Sequence, residues 1–465
     1  MDLDCAPGEI HALVGENGAG KSTLAAIAYG SVSADEGTIH ATGIVGLVHQ
    51  HFKLIERLRV WENVLLGCEP RRGLAIDVPA ARLRVRELCT AYGLDLDPDA
   101  RIESLPVAVR QRVELVRELQ REPAVLLLDE PTAALAPSEI DAFFITVRAL
   151  AARGTAIVIV THKLAEVIAH ADRVTVMRGG KIVESMRVAD TTVAAIARAM
   201  VGGELPTIAA RIATATAPAL EVSALRAGTG AGALSEATFA VRAGEIVGIA
   251  GIEGNGQSAL ADALAGMIPY SGDITLTGTL LSARISPAAR IRLGMRAIPQ
   301  DRHQEALVLD WSITDNATLG RQRTFRSGIL RDRARATAFA QAIVERYDVR
   351  PPNAHARIGA LSGGNQQKVV VGRALESDPR FVLAYQPTRG IDIGAAALVQ
   401  SRLIEARNAG VAVLLISFEL DEIFTLADRV LVMFGGRIVG AFERGAFERG
   451  ALDRARIGAL MAGAS

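Results

Sequence analysis

Residues 15–22 read Gly-Glu-Asn-Gly-Ala-Gly-Lys-Ser, directly after the apolar-rich run Ile-His-Ala-Leu-Val at 10–14. This is the spacing of a GxxxxGK[ST] loop, in the context that loop requires: a strand before it and a helix after it. The glycines let backbone N–H groups turn inward around phosphate oxygens, and the helix N-terminus adds partial positive charge. Lys21 can reach the β- and γ-phosphates, and the Ser22 hydroxyl can ligate Mg2+. Gly15, Glu16, Asn17, Gly18, Ala19, Gly20, Lys21, Ser22 and Thr23 are therefore candidate nucleotide-binding residues.

Working outward, the whole arrangement occurs twice. Residues 15–22 lie over Gly-Ile-Glu-Gly-Asn-Gly-Gln-Ser at 251–258, an offset of 236. Pro131-Thr132 matches Pro387-Thr388, and the Ala-Asp-Arg-Val at 171–174 matches that at 427–430, both at an offset of 256. Two copies of one domain are present, the second with about 20 extra residues in its first half. Each copy alternates strand and helix: strand, Gly-rich turn and helix, a helix-rich insert, then further helix–strand pairs. That order implies an α/β fold with a mainly parallel sheet. The first domain is expected over 1–205, a Pro/Ala/Thr-rich linker over 206–219 and the second domain over 220–465. Residues 220–236 have no counterpart in the first copy, which on this comparison starts late and should expose a sheet edge near Asp2–Ala6.

The run Val-Leu-Leu-Leu-Asp-Glu at 125–130 is an apolar strand ending in two carboxylates. Asp129 is placed to hold a metal ion, and Glu130 to polarise an attacking water. His162 ends the next strand, Val160-Thr161-His162, within reach of a γ-phosphate.

Composition excludes several classes. Hydrophobic residues make up 50% and charged residues 22% of the 465, a globular composition. Lys+Arg and Asp+Glu are both 51, so no basic surplus points to nucleic acid. Cys5, Cys68 and Cys89 form no CxxC pair and read as free thiols in a reducing cytosol. The longest apolar runs, at 156–160 and 411–416, fit buried strands and fall short of the ~18–20 residues of a membrane span. The first ten residues lack the basic and apolar regions of a signal peptide.

The segment Leu-Ser-Gly-Gly-Asn-Gln-Gln-Lys at 361–368 resembles the signature motif of the ATP-binding cassette (ABC) superfamily. The resemblance extends over essentially the whole chain. It implies tandem P-loop NTPase domains, each a mainly parallel sheet with a helical subdomain, binding ATP and Mg2+. Gln50, in Val-His-Gln-His-Phe at 48–52, matches the family glutamine that contacts Mg2+ and couples to a membrane partner, and His162 matches the family's switch histidine. In the family each site pairs one P-loop with the other copy's signature. One site here would join residues 15–23, Gln50, Asp129, Glu130 and His162 to Ser362, Gly363 and Gly364. The other would have Gln257 for lysine, Tyr385-Gln386 for the carboxylates, Phe418 for histidine, and the eroded signature Leu105-Pro106-Val107-Ala108-Val109. It should bind nucleotide weakly and not hydrolyse it.

A reduced second half, with Gln386-Pro387-Thr388-Arg389-Gly390, resembles the subfamily that energises import of simple sugars and nucleosides. His49-Gln50-His51-Phe52 and Gly254-Asn255-Gly256-Gln257 look closer to its nucleoside branch than to its monosaccharide branch. The resemblance implies a peripheral ATPase on the cytoplasmic membrane face, docked on two permease subunits that work with an extracytoplasmic binding protein. Other readings are a monosaccharide importer, a soluble tandem-cassette ATPase acting on ribosomes or DNA, and a nonfunctional truncated homologue. The short linker with little charge and the single intact site weigh against the soluble ATPase.

Overall fold

The computed structural model describes residues 2–16, 18–49, 52–132, 135, 137–203, 216–230, 232–447, 451–461 and 463. They form two compact units, Met1–Leu205 and Pro206–Ser465.

The first unit contains strands β1 (Ile10–Gly15), β2 (Val45–Val48), β3 (Arg71–Arg72), β4 (Ala75–Ile76), β5 (Val125–Asp129), β6 (Ala156–Thr161), β7 (Arg173–Arg178) and β8 (Lys181–Arg187). Its helices are α1 (Lys21–Tyr29), α2 (Val60–Val64), α3 (Val78–Tyr92), α4 (Val107–Leu119), α5 (Pro137–Ala152), α6 (Leu164–His170) and α7 (Val193–Val201). The main sheet runs β2-β5-β6-β1-β7-β8, parallel except for β8. Strands β1 and β6 are buried along their whole length, which is why they read as apolar runs without alternation. Val60, Trp61, Val64, Val85, Val113 and Val116 give α2–α4 a core of their own, a helical subdomain inserted between β2 and β5.

The second unit repeats this plan and extends it. Its strands are β9 (Pro218–Ala227), β10 (Leu234–Arg242), β11 (Ile246–Ala250), β12 (Tyr270–Leu276), β13 (Thr279–Leu280), β14 (Met295–Ile298), β15 (Arg326–Ser327), β16 (Leu330–Arg331), β17 (Phe381–Tyr385), β18 (Ala412–Ile416), β19 (Arg429–Phe434) and β20 (Arg437–Glu443). Its helices are α8 (Gln257–Ala265), α9 (Pro287–Arg292), α10 (Ile313–Ala317), α11 (Arg333–Arg346), α12 (Gly363–Leu375), α13 (Ile393–Asn408), α14 (Leu420–Leu426), α15 (Arg444–Phe447) and α16 (Ala451–Met461). One ten-stranded sheet runs β13-β12-β9-β10-β20-β19-β11-β18-β17-β14. Strand β9 begins at Pro218, so the last two residues assigned to a linker belong to the sheet; residues 204–215 lie outside the described residues.

The open edge expected near Asp2–Ala6 lies elsewhere. In the second unit β10 joins β20 through Glu236 and Arg437. In the first unit β8, the counterpart of β20, is the edge of its sheet. The missing pairing reaches further. Residues 37–43 (Gly-Thr-Ile-His-Ala-Thr-Gly) match 272–278 (Gly-Asp-Ile-Thr-Leu-Thr-Gly), the end of β12 and the turn after it. Ile274 is buried there by pairing with β9, whereas the first-unit stretch forms no strand and leaves Ile39 exposed. Residues 2–6 close the sheet face differently. Apolar Val247 and Leu431 of the second unit correspond to His11 and Thr175, which hydrogen-bond each other at 2.7 Å. The other ring nitrogen of His11 lies 2.9 Å from the Asp4 carbonyl oxygen.

Candidate functional site

The first-unit loop joins β1 to α1. Gly18 and Gly20 stand at φ +83° and +97°, a region open to glycine at little cost. A side chain at Gly15 would collide with the Met177 carbonyl oxygen. No side chain caps the N-terminus of α1, and Ser22 and Thr23 on its first turn are exposed. Lys21 is buried and folds back so that Nζ donates to the carbonyls of Gly15 at 2.8 Å and Glu16 at 3.0 Å. Burial holds its pKa below the usual lysine value, against the opposing pull of Glu130 and Asp129.

The carboxylates arrive from the end of β5. Burial pushes the Asp129 pKa up, and a hydrogen bond from the Ser22 side chain works against the rise. Asp129 Oδ1 is buried and has no hydrogen-bond partner among the described residues. An orphaned carboxylate oxygen beside a serine hydroxyl is a hard-oxygen donor set, and it fits Mg2+. Glu130 holds φ +47°, a strained value for a residue with a side chain. Its N–H donates to the Val160 carbonyl at 2.8 Å, fastening the turn to β6. Its carboxylate lies 3.0 Å from His162 Nδ1, and that hydrogen bond is the main cause of a lowered pKa. An ionised carboxylate only accepts, so Nδ1 carries the proton.

Lys21, Ser22, Asp129, Glu130 and His162 thus gather at the carboxyl ends of the parallel strands β1, β5 and β6. Asn17 and Gln50 lie outside the described residues. A residue not singled out in the sequence also contributes: Gln111 of α4 donates to the Pro131 carbonyl, holding the chain just past Glu130. Its repeat counterpart, Gln367 of α12, donates to Pro387 at 2.7 Å. The constant offset of 256 was the signal that could have found the pair.

The signature of the second unit opens α12. Ser362 is the N-cap, and its Oγ accepts from Asn365 Nδ2 at 2.9 Å. A Cβ on Gly364 would stand 2.7 Å from Asp392 Oδ2, so the close approach of the two segments needs glycine there. The corresponding α4 starts after Pro106 with no side-chain cap.

The second-unit loop is occupied by its own side chains. Gln257 Oε1 accepts the Asn255 N–H at 3.0 Å, and its Nε2 donates to Ile252 O at 3.1 Å. Asn255 Nδ2 donates to Ile252 O, and Asn255 Oδ1 accepts the Gly435 N–H. Tyr385, standing where the first unit has Asp129, bonds Ser258 through its hydroxyl at 2.8 Å and meets Phe418 edge-on. A phosphate-facing N–H, the lysine seat and the metal-ligand pair are thereby satisfied internally. The sequence showed the charges missing; it did not show their places filled.

A phosphate loop, paired carboxylates two strands away and a helical insert, present in one chain as a charged copy and one that has lost those charges, define a tandem nucleotide-binding cassette protein. The chain belongs to the ABC transporter family, whose description matches residues 1–133 and 234–389, and as a member it binds nucleotide and is an ATPase. It is similar to the nucleoside import ATP-binding protein NupA of Lactococcus lactis, 38% identical over 461 residues, covering 95% of this chain and 91% of that protein. It is equally similar to the ribose import ATP-binding protein RbsA 3 of Rubrobacter xylanophilus, 39% identical over 463 residues, covering 96% and 92%. Among solved structures, the archaeal ribosome recycling factor aABCE1 in complex with stalk protein aP1 aligns with a TM-score of 0.68 at 18% identity, covering 98% of this chain and 89% of that chain. At that identity the likeness speaks for the fold alone.

Proposed function

We propose that this chain is the ATP-hydrolysing subunit of an importer of nucleosides or related small sugars. It sits peripherally on the cytoplasmic face of the membrane, on two permease subunits served by an extracytoplasmic binding protein. The observation that carries the reading is the asymmetry beside the two loops: Asp129, Glu130 and His162 stand by the first, while at the second Tyr385 takes the Ser258 hydroxyl and packs edge-on against Phe418.

In the proposed site, Lys21 and the N–H groups of residues 15–23 hold the phosphates of ATP. Ser22 and Asp129, with Gln50, would hold Mg2+, which would offset the negative charge of the phosphates. Glu130 orients the attacking water, and His162 is positioned against the γ-phosphate. Ser362, Gly363 and Gly364 open α12 as the one intact signature motif, and only the first loop has the groups for turnover. Nucleic acid plays no part.

The ribose-importing relative supports a second reading, a monosaccharide importer. Reconstituting the chain with its genomically neighbouring permeases and binding protein, and measuring ATP-dependent uptake of labelled nucleosides against labelled ribose, separates the two. Nucleoside uptake alone supports the first reading. Uptake of neither, with an active permease, defeats both.

A further inference from the structure

Each unit carries the same small device on its helical subdomain. In the first, β3 and β4 form a two-residue hairpin, Arg71-Arg72-Gly73-Leu74-Ala75-Ile76, with Arg71 opposite Ile76 and Arg72 opposite Ala75. In the second, β15 and β16 form Arg326-Ser327-Gly328-Ile329-Leu330-Arg331, with Arg326 opposite Arg331. Gly73 and Gly328 hold φ +67° and +63°, which is what permits so tight a turn.

The turn places a branched aliphatic side chain at each tip. Leu74 is fully exposed and Ile329 is 94% exposed, with Ile76 and Leu330 exposed beside them. Arg72 and Arg326 make no side-chain hydrogen bond or ion pair among the described residues. A lone exposed leucine needs no explanation. Two hairpins, differing in four of six residues yet presenting the same aliphatic tip flanked by arginine, do. The tips are convex, which suits insertion into a yielding surface better than docking in a preformed groove. The arginines complement an anionic one, their stems along the apolar boundary and their guanidinium groups on phosphate.

We propose that each hairpin is a membrane-surface anchor, its aliphatic tip entering the interface of a bilayer and its arginines pairing with anionic lipid headgroups. The proposal rests on the import reading for bringing the chain to a membrane, and its test needs neither nucleotide nor permease, so its failure leaves that reading standing. The chain is sedimented with vesicles of phosphatidylglycerol and phosphatidylcholine, and with phosphatidylcholine alone. Binding is expected to the anionic vesicles and to fall with added salt. Leu74→Ser with Ile329→Ser should weaken it roughly tenfold or more, and Arg72→Ala with Arg326→Ala roughly fivefold per arginine. These side chains are exposed, so the melting temperature checks that both variants remain folded. No binding by the parent chain, or unchanged binding by the serine variant, overturns the proposal. So does a serine variant that binds vesicles normally but no longer assembles with the permease, which would make the hairpins protein contacts.

Discussion

Glu130 and His162 show how finely one site depends on single atoms. The carboxylate is held ionised by the imidazole at 3.0 Å and so remains a hydrogen-bond acceptor throughout the neutral range. Glu130→Gln should lower ATP turnover by at least about 10²-fold while nucleotide binding, measured by equilibrium titration, is retained; a variant with most of its turnover would remove Glu130 from the catalytic role. A contrasting glutamate sits in the second unit. Glu422 accepts from Thr388 at 2.7 Å, as Glu166 does from Thr132 at 2.6 Å. Lys163, which pairs with Glu166, is replaced in the repeat by Glu419. Burial, with the Glu419 charge adding to it, pushes Glu422 up to about 7. A raised folded pKa gives stability that is complete below the unfolded value and lost as pH rises through the folded one. Glu422→Gln should therefore raise the melting temperature above neutral pH, by a stability on the order of 3 kcal/mol, and leave it unchanged near pH 4.5. Glu130 and His162 were legible from their places at the ends of apolar strands, whereas Glu422 was not: the chain order names a glutamate without its burial or its neighbour across the fold.

At the level of elements, the phosphate loop was legible because its chemistry is local. Strand, glycines, lysine and serine follow one another, and the loop with its helix stands where the spacing placed them. The self-filled loop was only half legible, since Tyr385 reaches Ser258 across 127 positions of chain. The structure predicts an asymmetry. Lys21→Ala should cut transport by about 10²-fold or more, and Gln257→Ala should be mild; equal losses would refute a single working site. It also predicts that Gln257→Lys alone will not restore nucleotide binding to the second loop, because Tyr385 still holds the Ser258 hydroxyl. Photo-crosslinking of labelled ATP, mapped by peptide, reads this directly, and labelling of 251–258 at first-loop levels would contradict it.

For the whole molecule, the internal repeat made two α/β units readable, but it misplaced the first unit's free edge. The comparison of the two copies pointed to residues 2–6, whereas the free edge runs along β8, and residues 37–43 form no strand. Backbone groups without a partner strand open more readily. Amide hydrogen exchange should thus be roughly tenfold or more faster in β8 and 37–43 than in β20 and β12, with matched rates arguing that another part of the molecule covers the first-unit edge.

The lysine folded onto its own loop changes what nucleotide arrival means. An ammonium group has three N–H donors, and Lys21 directs two of them to the carbonyls of Gly15 and Glu16. The third can meet a phosphate oxygen without either bond being given up. The loop's own carbonyls thus fix where the positive charge stands, and a side chain so tethered has little freedom left to lose on association.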